Sequence, residues 1–129
     1  MKRRTGKGTS IAFAGLLFIG VGVGAQEATE LFIPIGQSPE LSDRVTVIGT
    51  VESVDAAEKT IVVKTDSGSA SAEITEKTKI YLDRSKRKES NRYGSFDDLK
   101  VGARVEVLHQ GRTRAPSGPA EWVKIEVAP

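Results

Sequence analysis

Five cations fall within nine residues at Arg84, Lys86, Arg87, Lys88 and Arg92. Clustered ammonium and guanidinium groups attract polyanions, whether nucleic acid, anionic lipid headgroups or acidic polysaccharide. Tyr81 and Tyr93 flank the run, and aromatic rings beside cations are what a stacking surface needs. Asp83 and Glu89 interleave opposite charge, so a solvated, self-neutralised loop is the competing reading. Asp83 directly follows an apolar stretch; it either pairs with Arg84 or caps the turn at Ser85. Trp122 has the outward parity of the last apolar segment. It either anchors a partner or covers a flank of the domain, alone or with the N-terminal segment docked on it.

Other chemistries are poorly supplied. The chain holds one histidine, His109, and any nucleophile–base–acid triad would have to use it. No G-x-S-x-G elbow is present to strain a serine into place. His109 shares the parity of Val105 and Val107, which places it at the rim of a strand and leaves a hydrolase reading as a minor alternative. There is no cysteine, so disulfides, thiolate metal sites and thiol nucleophiles are excluded. One histidine and one methionine do not make a zinc or copper set. Asp97 and Asp98 with Asp83 have no EF-hand spacing, and helix capping explains the first two. No catalytic residue, metal or cofactor is expected.

The elements that must position these residues are strands. From Val45, alternation puts Val45, Val47, Gly49 and Val51 on one face and Thr46, Thr50 and Glu52 on the other, with Ile48 as an exception. Asp55 to Lys59 is a polar turn. Thr60 to Thr65 resumes as β-branched strand, and Asp66-Ser67-Gly68 supplies a hairpin turn. Strands over Ser69–Ile74 and Lys79–Leu82 follow, separated by a break at 75–78. After the polar loop 83–94, Ser95-Phe96-Asp97-Asp98 fits a capping box, with acids facing the positive end of a one-turn helix. Phe96 and Leu99 then share a face. Arg104–His109 alternates again, Gly111–Pro119 is a loop, and Glu121–Val127 turns Val123, Ile125 and Val127 to one side. Five or six hairpin-linked strands with one short helical turn before the last two describe an all-β, antiparallel, OB-like barrel plugged at one end by Phe96 and Leu99.

The first 25 residues read as a secretory signal. Lys2, Arg3, Arg4 and Lys7 precede an uncharged apolar run from Ile11 to Ala25. The run ends in Val23-Gly24-Ala25, which predicts a cut between Ala25 and Gln26. It is short for a spanning helix, which needs about 20 apolar residues, and four glycines lower its helix propensity. Cleavage changes the charge. Of 19 Lys and Arg, four lie in the signal, leaving 15 against 17 Asp and Glu. The mature chain is therefore net negative by two, and nucleic acid is a poor expected partner. Residues 26–43 carry Pro34 and Pro39 and read as an extended tether whose centre, Phe32-Ile33-Pro34-Ile35, docks on something. Residues 44–128 form the barrel domain.

The segments FIPIGQSPELS, VTVIGTVESVD, TIVVKTDSG, KIYLDRS and GSFDDLKVGARVEV resemble those of small secreted bacterial β-barrel proteins grouped under a domain of unknown function. The resemblance runs over about residues 31–127, and it implies an OB-like fold and export but no activity. The expectation is thus an exported, non-enzymatic binding or interaction module of the cell envelope, periplasmic or secreted, with an unknown envelope protein or ligand as partner. A polyanion binder working through residues 84–92 is the alternative. A monomer is expected, and membrane contact only if the signal is retained.

Overall fold

A computed structural model of the protein describes residues 30–129. The proposed signal and its cleavage point at Ala25 and Gln26 lie outside the described residues. Seven strands form one sheet: β1 (Val47–Asp55), β2 (Thr60–Thr65), β3 (Gly68–Glu73), β4 (Lys79–Asp83), β5 (Arg92–Tyr93), β6 (Arg104–His109) and β7 (Ala120–Glu126). Their order is β3-β2-β1-β6-β7-β4-β5. Single 3-10 turns lie at Ser85–Arg87 and Phe96–Asp98. No helix among the described residues is long and apolar enough to cross a membrane.

The alternation expected from the sequence buries the expected side chains. Val47, Val51, Ile61, Val63, Val105, Val107, Val123 and Ile125 form the centre of one apolar cluster. Ala70 and Ala72 supply the inward face of β3 with small side chains. Between Val51 and Ser53 the β1–β2 register shifts. Such a bulge adds one residue to the strand, so Val51 and Val54, three apart, both pack on the core. Gly49 sits where β1 crosses β2 closely: a Cβ there would run into the backbone carbonyl of Lys64.

Two features of the sheet depart from a purely antiparallel meander. β4 pairs with β7 in parallel, Ile80 opposite Val123 and Leu82 opposite Ile125. β3 lies along the approach to β7, with Ser71 N–H donating to Pro116 O at 2.8 Å and Glu73 N–H to Gly118 O at 2.9 Å. β3 and β4 therefore act as two halves of one path, interrupted at 74–78, that closes the ring β1-β2-β3/β4-β7-β6-β1. That is the connectivity of an OB-like barrel, with five staves and a helical turn between the third and fourth. The two-residue β5, paired with β4 at Tyr81–Tyr93, was not foreseen because two residues carry no periodicity.

The plug is present. Ser95 and Asp98 make a reciprocal capping box, Leu99 is buried in the core and Phe96 packs partly against it. The Lys59 ammonium lies 4.4 Å from the Phe96 ring centroid, a cation–π contact that closes the rim.

Over their described part, residues 26–43, expected as an extended tether, are not extended. They wind through successive turns, with Ser42 N–H donating to Ser38 O and Val45 N–H to Leu41 O. This clasp packs Leu31, Leu41 and Val45 on Tyr81, Leu108 and Trp122, a second apolar cluster outside the barrel. Ile35 is buried as anticipated, whereas Phe32 is 67% exposed and does not dock.

Candidate functional site

The basic loop becomes one wall of a cleft. About 520 Å³ of open space lies between the loop after β4, β5 and the turn leading into β6. Arg84, Arg87, Arg92 and Lys100 line it, with Leu82, Ile125 and Val127 as apolar lining. Folding thus brings together three of the five loop cations and adds Lys100, which lies eight residues beyond Arg92 in the chain and carried no signal as a site residue. The 3-10 turn over Ser85–Arg87 reverses the chain, and Lys88 closes it in a left-handed conformation, φ 58°. Lys86 and Lys88 are exposed and do not line the cleft.

Part of this charge is neutralised. Arg84 pairs with Glu89 at 3.0 Å, and Arg87 reaches the same carboxylate oxygen at 4.0 Å. Arg87 Nε also donates to Ala128 O at 2.8 Å. Lys86 and Arg104 share Glu126, at 3.0 and 3.1 Å. Asp98, the remaining acid on the cleft wall, accepts from Ser95 N–H at 2.8 Å. Arg92 and Lys100 make no ion pair among the described residues. Arg84 Nε is buried without a hydrogen-bond partner, an uncommon state for a buried donor.

The aromatic residues divide. Tyr93 is 54% exposed, and its ring lies 5.5 Å from that of Tyr81. Tyr81 and Trp122 are buried, with ring centroids 6.4 Å apart in an edge-on arrangement. Trp122 has the outward parity expected of it, but the clasp covers it, so neither Trp122 nor Tyr81 offers a partner a free surface. Tyr93 alone of the three does.

Beneath the clasp lies a polar site that alternation placed on the solvent face. Glu106 is fully buried: Oε1 accepts from Gly36 N–H at 2.9 Å, and Oε2 from Ser42 Oγ at 2.6 Å and Thr46 Oγ1 at 2.8 Å. Lys124, its cross-strand neighbour, is also buried, donates to Ser38 Oγ at 2.8 Å and lies 4.6 Å from the Trp122 ring centroid. Asp83 accepts from Ile35 N–H at 2.9 Å and Ser85 N–H at 3.0 Å. Burial alone would raise its pKa. Hydrogen bonds from the Ser85 hydroxyl and from the Ile35 and Ser85 N–H groups, with the nearby Lys124 charge, outweigh that and hold it below the ordinary value. Asp83 therefore caps the turn at Ser85, the second of the two sequence readings, and also fastens the clasp.

His109 is 2% exposed, and its Nε2 is 2.9 Å from Ser71 O. The rim position expected for it is instead an interior joint between β6 and β3, produced by a register shift at Leu108–His109. A ring so enclosed and so bonded has no access to a substrate. No group of three or more His, Asp or Glu among the described residues could hold a metal ion. A second groove, about 440 Å³, lies where the clasp meets the β2–β3 turn. There Arg114 donates to Asp43 O at 2.9 Å and Thr46 O at 3.3 Å, pinning the β6–β7 loop to the clasp.

No family model matches the chain, and no curated protein matches it. Among solved structures it is similar to a copper(II)-bound single-residue variant of CusF from Escherichia coli, at 18% identity and TM-score 0.39, covering 63% of this chain and 89% of that one. The barrel assignment rests on the strand order and the parallel closure, not on that likeness.

Proposed function

We propose that the protein is an exported, non-enzymatic, OB-like binding module of the bacterial envelope, and that it engages its ligand at the cleft between the loop after β4 and the turn before β6. The observation that carries this reading is the convergence of Arg84, Arg87, Arg92 and Lys100 on one concave surface. Ligand sites are concave, with a few convergent polar groups on an apolar lining. Export rests on the N-terminal pattern, and the bacterial grouping on the resemblance over residues 31–127. The enclosure of His109 supports a binding rather than a hydrolytic role.

Two readouts test this. N-terminal sequencing of the protein from envelope or medium fractions should begin at Gln26; a chain retaining Met1 and confined to the cytosol overturns export. A photo-crosslinking side chain at Val127, on the cleft's apolar lining, should give a discrete adduct in cells, while the same group at Ala56, in the β1–β2 turn, gives none. Equal labelling from both positions removes the cleft as the site.

A further inference from the structure

We infer that the cleft accepts a small ligand carrying two adjacent oxyanions, phosphate or carboxylate, on a carbon frame; this rests on the cleft being the binding site. Charge supplies the first argument. The cleft is lined by four cations, Arg84, Arg87, Arg92 and Lys100, and three acids, Glu89, Asp98 and Glu126. The lining is net positive by one within a mature chain that reads as net negative, so the cleft is opposite in sign to the chain that carries it.

Partnering supplies the second. Each acid already serves a role: Glu89 takes Arg84 and Arg87, Glu126 takes Lys86 and Arg104, and Asp98 closes the capping box. The lining cations left without an acid partner are Arg92 and Lys100, which flank the 3-10 turn at Phe96–Asp98 in sequence. Two separate cations suit two anionic groups better than one. The Arg92 guanidinium favours planar oxyanions through its fixed N–H geometry.

Shape supplies the third. The space of about 520 Å³ falls within the range of small-molecule pockets, roughly 300–1,000 Å³. Leu82, Ile125 and Val127 give a carbon skeleton something to rest on. A long polyanion would instead need a continuous basic track, and the salt bridges at Lys86 and Arg87 interrupt one.

The test is calorimetric titration of the purified protein at low salt with methylenediphosphonate, methylphosphonate and a heparin-derived hexasaccharide. Methylenediphosphonate should bind at least tenfold more tightly than methylphosphonate, and binding should weaken as salt rises. The double variant Arg92→Gln, Lys100→Gln should weaken it tenfold or more, whereas Lys64→Gln with Lys77→Gln should not, and Lys100→Arg should retain it. Arg92 and Lys100 are exposed, so unchanged circular dichroism is expected and certifies the fold of the variants. Equal affinity for the two phosphonates overturns the inference, as does a double variant that binds like the parent. Binding of the hexasaccharide alone replaces the compact ligand with an extended polyanion. None of these results bears on export or on crosslinking at Val127, so the broader reading stands or falls separately.

Discussion

Replacing Glu106 with alanine should unfasten the clasp. Its carboxylate is fully buried and accepts three hydrogen bonds from residues 36, 42 and 46, with buried Lys124 across the strand pair. Glu106→Ala leaves one backbone N–H and two hydroxyls without their acceptor. Each buried donor left unsatisfied costs about 1–3 kcal/mol, so three of them set a loss of about 3 kcal/mol or more. That is a large share of the roughly 5–15 kcal/mol available to a small domain. A loss of 3 kcal/mol corresponds to a melting midpoint lower by at least about 12 °C for a domain near 100 residues. Glu106→Gln should cost less, because the amide keeps one acceptor and the two hydroxyls can rotate to accept from its NH₂. Urea unfolding followed by the emission of Trp122, the single tryptophan, is a direct assay, since the clasp covers that ring. The alanine variant should show a lower midpoint and a red-shifted emission before global unfolding. A loss under about 1 kcal/mol, the level of an exposed ion pair, with unchanged emission would refute the argument that this carboxylate holds the clasp.

Asp83, whose pKa lies below its unfolded value, contributes stability that is present above the unfolded pKa and lost as pH falls through the folded one; Asp83→Asn should flatten that acid limb in a pH series of melting midpoints. Gly49→Ala should destabilise by about 1–3 kcal/mol or more through overpacking against the Lys64 carbonyl, measured by denaturant midpoint, and a neutral result would mean the crossing of β1 over β2 can relax. His109→Ala should lower stability by about 1–3 kcal/mol by leaving Ser71 O unpaired, yet leave methylenediphosphonate affinity unchanged; a loss of affinity with intact stability would give His109 a role at the site. Deleting residues 31–43 should expose Trp122 to iodide quenching, and a ring still protected would show that the clasp does not cover it.

Strand existence was readable because alternation is local. Thr60–Thr65 and Arg104–His109 occupy the spans their periodicity marks, and the capping box at Ser95 needs only four consecutive residues. The cationic loop was readable as composition, but its relation to Lys100 was not, since only the turn at Phe96–Asp98 carries Lys100 round to the same cleft. The parallel pairing of β4 with β7 was hidden for a similar reason: hairpin reasoning joins neighbours in sequence, and those strands are about 40 residues apart.

From its own residues the chain determines the strands, their inward faces, the turns and the plug, because φ/ψ preference and side-chain sidedness act over a few residues. It also determines what chemistry is missing, since a chain with one histidine and no cysteine cannot acquire more by folding. Only the tertiary structure decides what lies over the outward faces. Glu106, Lys124 and Trp122 have solvent-facing parity, yet all three are buried because the clasp brings Gly36, Ser38 and Ser42 across 64 to 86 positions of sequence to meet the two charges. Period-two patterning records which side of a strand a residue takes; it holds no record of which distant segment will cover that side.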